Sequence, residues 1–239
     1  MAKRETVLNS GRLLAIGDVH GCLKSLKKLL KQVDPKPEDT VIMLGDYVDR
    51  GPDSRGVIDY LLEWKWQASL ICLKGNHELI MEHALRSEIH QDYWKEVGGQ
   101  LTIDSYGGSL EQVPAEHRHF IERARFFHET DDYIFVHGGL HPDRPLLDQD
   151  QEEMCWLRFR DAKPHQSGKV MVCGHTVQKK GWPNDKGFGV CIDTAACRGG
   201  FLTCLDAERG RFWQANESGE HRTGKLPRKL RKKRRTETP

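Results

Sequence analysis

The stretch RLLAIGDVHG at residues 12–21 shows the pattern on which the whole chain is built. Its apolar run, Leu13 to Ile16, is typical of a buried strand and passes directly into a glycine-flanked Asp18 and His20. Glycine beside short polar residues is typical of a turn. We therefore expect a strand that ends at a turn carrying two side chains able to bind a metal.

The same arrangement occurs four more times. In each case an Asp, Asn or His lies beside glycine and follows an apolar or β-branched run, in GDYVDRG at 45–51, GNHE at 75–78, VHGG at 136–139 and GHT at 174–176. Apolar residues recur at helical spacing after the first three segments. This order predicts three consecutive βα units and a sheet covered by helices.

The remaining sequence predicts a helical insertion and further strands. Residues 88–127, with a helix over 114–126, are interpreted as an insertion over the site. Strands are expected at 133–136, 170–173, 189–192, 201–205 and 211–214. The last three lie close together without long helices between them, which favours antiparallel pairing.

The composition is typical of a soluble globular protein. At 239 residues, with 37% hydrophobic and 30% charged, the chain suits one large domain with a tail. No apolar run approaches the roughly 20 residues that span a bilayer, and the first residues lack the apolar stretch of a signal peptide. We expect a cytoplasmic protein without membrane contact. The seven cysteines show no CxxC spacing and are expected to be reduced core residues.

The basic charge is concentrated at the end of the chain. Residues 225–239 contain eight Lys or Arg and one acid, a net charge of +7 in a chain whose total is +2. Residues 1–224 are therefore mildly acidic. A segment so rich in like charges is expected to be disordered. It could contact a polyanion such as a nucleic acid by neutralising phosphates, or it could be a solvated tail without a fixed partner.

The polar residues of the five segments suit a dinuclear metal site, because imidazole and carboxylate bind divalent first-row metals. Asp18 and His20 can face one ion, and Asp46 can lend an oxygen to each of two ions. The second ion would be completed by Asn76, His137 and His175. In such sites two ions about 3.5–4 Å apart make a nucleophile from bridging water.

Taken together, GDxHG, GDxVDRG, GNHE, HGG and GHT resemble the phosphoprotein phosphatase branch of the calcineurin-like metallophosphoesterases, in its compact bacterial form, over residues 12–214. The resemblance implies an α/β (α+β) fold, a β-sandwich of mixed sheets flanked by helices, with metals at the carboxyl ends of strands in a catalytic domain of residues 1–224. Manganese is the favoured ion, and iron, zinc or nickel also suit the donors. The implied ligands are Asp18, His20 and Asp46 for the first metal, and Asp46, Asn76, His137 and His175 for the second.

The resemblance also implies roles for residues that are not ligands. His77 would be the general acid that protonates the leaving oxygen, Asp49 would orient it, and Arg50 would grip the phosphoryl group. These roles are chemically reasonable, since a departing alkoxide requires a proton and a guanidinium matches two phosphate oxygens. For a second arginine, Arg158 fits the W-x-R spacing better, and Arg160 is the other candidate.

The expected activity is hydrolysis of a phosphate monoester by direct attack of a metal-bridging hydroxide, without a phosphoenzyme. Phosphoserine or phosphothreonine in a phosphoprotein is the favoured substrate, ahead of a phosphorylated small molecule. The alternative is a dinucleoside tetraphosphate hydrolase, but such enzymes typically depart from the VDRG and GNHE segments that are intact here. A third reading is an inactive scaffold with a nucleic-acid-binding tail, which the complete ligand set argues against.

Other polar residues are given supporting or surface positions. Glu78 suits a role beside the ligands or at a helix N-terminus better than direct catalysis. The histidines outside the motifs are interpreted as surface or loop residues: His83, His90, His117, His119, His128, His141, His165 and His221.

Overall fold

Three βα units begin the fold, because each apolar strand ends in a polar turn that leads into an amphipathic helix. The computed structural model describes residues 11–227. In the first helix, buried Leu26 and Leu30 recur at helical spacing. Asp53 caps the second helix by accepting a hydrogen bond from the Gly56 N–H at 2.8 Å. The units consist of β1 (Leu13–Ile16), α1 (Leu23–Val33), β2 (Thr40–Met43), α2 (Ser54–Leu62), β3 (Ser69–Cys72) and α3 (Asn76–Arg86).

The next segment is a helical insertion, and it contacts the second motif. It contains α4 (Gln91–Trp94), α5 (Gln100–Ser105) and α6 (Ala115–Arg123). Between α4 and α5, Gly98 has φ 120° and interrupts the helix. Its carbonyl accepts a hydrogen bond from the Arg50 N–H at 3.1 Å. Within residues 11–227, no helix is long and apolar enough to cross a membrane.

One of the two sheets forms after the insertion. Its strands run in the order β4-β5-β6-β8-β7, and β5, β6 and β8 are parallel. The expectation that β8 pairs antiparallel with the strands after it is wrong, because β8 joins β6 in this sheet before the chain crosses to the other one. The new elements are β4 (Phe127–Glu129), β5 (Tyr133–Val136), α7 (Gln151–Met154), β6 (Val170–Cys173), β7 (Asn184–Asp185) and β8 (Gly189–Cys191).

The other sheet is completed by the last three strands, β9 (Leu202–Asp206), β10 (Arg211–Ala215) and β11 (His221–Lys225). Its order is β11-β10-β9-β1-β2-β3. Strands β1, β2 and β3 are parallel, and the expected antiparallel pairing of β9 with β10 is confirmed. The fold therefore contains two mixed sheets flanked by helices, as the sequence predicted.

The described structure continues past residue 224, the expected boundary of the catalytic domain. Lys225 belongs to β11, and Leu226 is buried against the core between the sheets. The rest of the basic tail, 228–239, lies outside the described residues, as do residues 1–10. A catalytic domain of residues 1–224 and a polyanion-binding tail remain predictions.

The core has two main layers because side chains alternate across each strand. Ala15 of β1 and Phe135 of β5 lie in the layer between the two sheets. Leu14 and Ile16 face the helices on the other side of their sheet. Ile134 belongs to a smaller cluster on the outer side of the second sheet. Sheet-on-sheet packing thereby fixes the strand ends that carry the polar motifs.

Among the side chains outside the motifs, His117 departs most clearly from the sequence expectation. All seven cysteines are free, and five of them are buried. His117, expected at the surface, is fully buried on α6. Its Nδ1 lies 2.8 Å from the Tyr106 hydroxyl and its Nε2 lies 2.9 Å from an oxygen of Asp59. His117 is buried, and not at the surface as expected, because this face of α6 packs against α2 and the end of α5.

We expect Phe135→Ala to destabilise the fold by about 3–5 kcal/mol, since Phe135 is fully buried between the sheets and its loss leaves a cavity. The free energy of unfolding in urea measures this cost. Ile89→Ala is the control, because Ile89 is 87% exposed and its loss should change stability by less than about 0.5 kcal/mol. Equal stability of the two variants would contradict the assigned core.

Candidate metal centre and active site

The polar turns of both sheets meet at one edge, where the parallel strands present their carboxyl ends. In α/β folds this edge is the usual place for a ligand. All six predicted metal ligands lie there, together with the predicted acid His77. The first sheet contributes Asp18 and His20 after β1, Asp46 after β2 and Asn76 after β3, whereas the second contributes His137 after β5 and His175 after β6.

His20 presents a lone pair to Asp46. The His20 Nδ1 lies 2.8 Å from the carbonyl oxygen of Val48, which can only accept, so Nδ1 carries the proton. Burial lowers the pKa of His20 to about 3, so the ring is neutral and Nε2 is an acceptor. This Nε2 lies 3.3 Å from Asp46 Oδ2 and 3.0 Å from Arg50 Nη1. A cation bound by Nε2 would replace the Arg50 contact.

A second imidazole faces the other oxygen of Asp46 in the same way. His137 Nδ1 lies 2.8 Å from the Leu44 carbonyl oxygen, which leaves Nε2 as an acceptor 3.4 Å from Asp46 Oδ1. Burial lowers the pKa of His137. Asn76 Oδ1 lies 3.0 Å from both His137 Nε2 and His175 Nδ1. Burial, followed by the neighbouring His137, lowers the pKa of His175 to about 4.

Asp18 lies beside this group and adds two carboxyl oxygens to it. Its Oδ2 accepts a hydrogen bond from the His175 N–H at 3.0 Å. Burial and the nearby carboxylates of Asp193 and Asp46 raise the pKa of Asp18. Asp193 was not among the predicted residues, although it follows β8 as Asp18 follows β1. The apolar residues directly before Asp193 were the available signal, but no glycine flanks it.

This donor set fits divalent cations. Two neutral ring nitrogens face the oxygens of Asp46, and acceptors at such distances repel one another unless a cation lies between them. Burial opposes ionisation of Asp46, but positive charge on the neighbouring His137, His77 or His20 holds its pKa below the usual range, and a bound cation would act in the same direction. His175 Nε2 is buried without a hydrogen-bond partner among the described residues. Oxygen and nitrogen donors suit manganese, iron, zinc or nickel.

Asp46 is shared by two groups of possible ligands. One group combines it with His20 and His77, and the other with His137 and His175, with the donor atoms of each group within 4.8 Å of one another. A shared carboxylate is the position expected for a residue that contacts two ions. The geometry therefore brings together a potential dinuclear centre.

His77 and Asp49 form a buried pair next to the centre. His77 Nδ1 lies 2.6 Å from Asp49 Oδ2. Asp49 also accepts hydrogen bonds from Trp94 Nε1 at 2.9 Å and Thr102 Oγ1 at 2.7 Å. Burial alone would lower the pKa of His77, but the carboxylates of Asp46 and Asp49 raise it above its ordinary value. The ring is thereby fixed in orientation and kept ready to carry a proton.

Trp94 and Thr102 were given no role from the sequence. Both lie in the helical insertion, 45 and 53 residues after Asp49, so no local pattern links them to that carboxylate. The insertion therefore covers the site and also positions its proposed acid.

Glu78 binds the backbone of the turn that carries Asp46. Its carboxylate accepts hydrogen bonds from the N–H groups of Asp46 and Tyr47 at 2.7 Å and of Gly75 at 2.8 Å. Burial and the charge of Asp46 raise its pKa to about 8, and the backbone donors act in the opposite direction. The expected supporting role of Glu78 is thus visible in its contacts, which join the ends of β2 and β3.

Left-handed backbone is concentrated at the site. Such dihedrals are costly for residues other than glycine and persist only where the surroundings impose them. At two other positions only glycine fits. An added Cβ would lie 2.1 Å from Asp46 Oδ1 at Gly75 and 2.0 Å from Asp18 Oδ1 at Gly174. The site residues other than glycine that have a positive φ are His20 (45°), Asp46 (51°), Asp49 (70°), Arg50 (67°) and His175 (59°).

A cavity of about 560 Å³ opens onto the centre. Asn76 and His175 form its inner side, and the exposed ring of Trp156 lies at its wall. Both Arg158 and Arg160 line it, so the choice between them as second phosphate ligand stays open. Five cationic side chains line the cavity in all: Arg50, Arg158, Arg160, Lys179 and Arg198.

Comparisons with known proteins agree with this geometry. Residues 11–199 match the family model described as calcineurin-like phosphoesterase. The symmetrical bis(5'-nucleosyl)-tetraphosphatase of Pseudomonas fluorescens is 33% identical over 136 residues, which are 55% of this chain and 43% of that protein. The chain thus spans less than half the length of the curated relatives it matches. Their name does not support the phosphoprotein phosphatase branch within the family.

Two solved structures share the fold. A proposed diadenosine tetraphosphatase has a TM-score of 0.64 at 21% identity, covering 91% of this chain and 94% of that one. A serine/threonine phosphatase from Saccharomyces cerevisiae has a TM-score of 0.60 at 18% identity, covering 93% and 82%. The family model covers residues 11–199, which is most of the chain, and the two mixed sheets with their shared N/O donor set agree with it. The chain therefore belongs to the calcineurin-like phosphoesterase family.

Proposed function

We propose that this metallophosphoesterase hydrolyses a dinucleoside polyphosphate, with the phosphate chain lying in the cationic cavity. The observation that carries the proposal is the set of five Lys and Arg side chains beside the donor groups. None of the described residues that line the cavity is an Asp or Glu. A chain of several phosphates matches such a surface better than a single phosphoryl group does. The name of the curated relatives supports the same substrate class.

The position of each site residue indicates its role in the proposed reaction. Two divalent cations, when bound, would supply Lewis-acid stabilisation and activation of water. Arg50 lines the cavity next to His20, and its guanidinium can pair with phosphate oxygens as a fork. Arg158 or Arg160 would approach the same group from the opposite loop. His77, held by Asp49, would give a proton to the leaving oxygen.

A second candidate is the phosphoserine or phosphothreonine phosphatase expected from the sequence. The buried pair of His77 and Asp49 favours it. A departing alkoxide of serine or threonine is a strong base that needs a proton from a general acid. A nucleoside diphosphate is a stable anion and depends less on such help. The pair therefore matters more for a monoester than for a polyphosphate.

We expect the purified, manganese-loaded enzyme to cleave diadenosine tetraphosphate with a kcat/KM at least about 10-fold above that for a phosphoserine peptide, because the cationic cavity binds the additional phosphates. Product analysis by ion-exchange chromatography measures both reactions. Preference for the phosphopeptide would overturn the proposal and select the second candidate. Absence of both activities would refute both substrate assignments.

We expect Asp49→Asn to lower kcat for an alkyl phosphate by about 10²–10⁴-fold, since His77 would lose the charge that steadies its protonated form. The loss should be smaller for an aryl phosphate, whose leaving group needs less protonation. Asp131→Asn, in an exposed turn, is the matched control and should behave as wild type. Equal losses on both substrates would argue against His77 as a general acid.

We expect Asp46→Asn to lose metal, because Asp46 belongs to both groups of candidate ligands. Elemental analysis after dialysis should give a lower metal content than in wild type. Metal that binds only the folded state stabilises it by about 2.7 kcal/mol at 100 times its Kd, so added manganese should raise the Tm of wild type more than that of the variant. Asp143→Asn is the control. Full metal content and activity in Asp46→Asn would contradict the assignment.

A further inference from the structure

We infer that Lys179 and Arg198, together with Arg160, form a distal phosphate subsite that binds the part of a polyphosphate chain beyond the phosphoryl group at the centre. The inference deepens the proposed function and rests on it. Lys179 and Arg198 lie outside the motifs from which the sequence predicted the site, and Arg160, one of its two candidates for the second arginine, takes the distal position here and leaves Arg158 at the centre. The three residues of the subsite are brought to one cavity by three separate loops.

Arg198 lies on a rigid turn. Residues Ala196–Arg198 form a short 3₁₀ turn after Ala195, which has a left-handed φ of 62°. The Ala195 N–H donates to Asp193 Oδ1 at 3.0 Å, and the Arg198 N–H donates to the Ala195 carbonyl at 2.9 Å. Because these bonds fix the turn, the base of the Arg198 side chain is held at the cavity wall before any ligand binds.

Lys179 lies on a second turn anchored at the same residue. The N–H of Gln178 donates to the Asp193 carbonyl at 2.8 Å, and its carbonyl accepts from the Gly181 N–H at 2.8 Å. The Gln178 side chain also accepts a hydrogen bond from Asn184 Nδ2 at 2.9 Å. Asp193 therefore holds both turns, through its carbonyl and through its carboxylate. Since Asp193 also lies near Asp18, the backbone of both turns is held close to the centre.

Arg160 approaches from a third loop, which Lys186 supports. Lys186 Nζ donates to the carbonyl oxygens of Phe159 and Arg160, each at 2.8 Å. Lys186 Nζ also lies 4.9 Å from the centre of the Phe159 ring. The Arg160 side chain contacts Asp161 at 3.2 Å, but both side chains are at least 70% exposed, so this pair is weak.

The charges of Lys179 and Arg198 are available to a ligand. In the described part of the chain, neither takes part in an ion pair with a carboxylate within 4 Å. A single phosphoryl group at the centre could be bound by Arg50 and Arg158. Further phosphates would place their negative charge opposite Lys179, Arg198 and Arg160, where charge-assisted hydrogen bonds would hold them.

The test measures kcat/KM for diadenosine tetraphosphate and for p-nitrophenyl phosphate in the manganese-loaded enzyme. We expect Lys179→Ala and Arg198→Ala each to lower the ratio of kcat/KM for diadenosine tetraphosphate to kcat/KM for p-nitrophenyl phosphate by about 10-fold. This is the lower end of the effect of losing one hydrogen bond to a charged group, and the double variant should lower the ratio further. Lys180→Ala is the matched control, since Lys180 is exposed on the same turn but does not line the cavity. An unchanged ratio in Lys179→Ala and Arg198→Ala, or an equal drop in Lys180→Ala, would overturn the subsite.

A binding measurement separates failure of the subsite from failure of the proposed function. If wild type does not cleave diadenosine tetraphosphate, the proposed function is wrong, and the subsite is judged by calorimetric titration with inorganic tripolyphosphate and with orthophosphate. The subsite predicts tighter binding of tripolyphosphate to wild type and loss of that advantage in the Lys179→Ala, Arg198→Ala double variant. A double variant that keeps the full advantage would refute the subsite.

Discussion

The main electrostatic constraint on the site is the convergence of acceptor groups on Asp46. Two neutral imidazole nitrogens, from His20 and His137, lie 3.3 and 3.4 Å from its carboxylate oxygens. Without a cation these groups repel, and burial strengthens the repulsion because water does not screen it. The fold must therefore hold the strand ends in place by other contacts. Glu78 does so by accepting from three backbone N–H groups across the ends of β2 and β3.

Assembly of the centre requires both sheets. The first sheet places Asp18, Asp46 and Asn76 at the carboxyl ends of its parallel strands, and the second places His137 and His175 opposite them. Neither sheet alone holds the full donor set. The apolar layer between them, which includes Ala15 and Phe135, therefore supports the chemistry as well as the stability. Left-handed backbone at five site residues fits this view, since strain persists where the surrounding packing imposes it.

Two features of the site lead to different substrates. The buried pair of His77 and Asp49 suits the basic leaving group of a phosphate monoester. The cationic cavity, and the name of the curated relatives, suit a polyphosphate. A dinuclear centre would be compatible with both, because it would act on the phosphoryl group that they share. Specificity therefore depends on the loops around the centre, and Lys179, Arg198 and Arg160 lie on three of them.

Sequence patterns predicted the candidate donor set, the three βα units and most strands, because each of these depends on a few neighbouring residues. An apolar run, a glycine and a polar residue are neighbours in the chain, and their spacing does not depend on contacts with remote segments. Glu78 was also placed correctly beside the ligands. Three strands were missed: β4 and β7, since two or three residues cannot show an alternation, and β11, whose sequence HRTGK is polar throughout.

The three-dimensional structure shows how remote segments combine, which local sequence patterns do not specify. It assigned β8 to the second sheet, parallel to β6, and it buried His117 against α2 and α5. It also showed that Trp94 and Thr102 hold Asp49 and that the cationic loops surround one cavity. These features depend on contacts between residues far apart in the chain. Such contacts contribute to stability only once the two sheets have packed together. Local sequence patterns specify the reactive groups, whereas long-range packing specifies their partners.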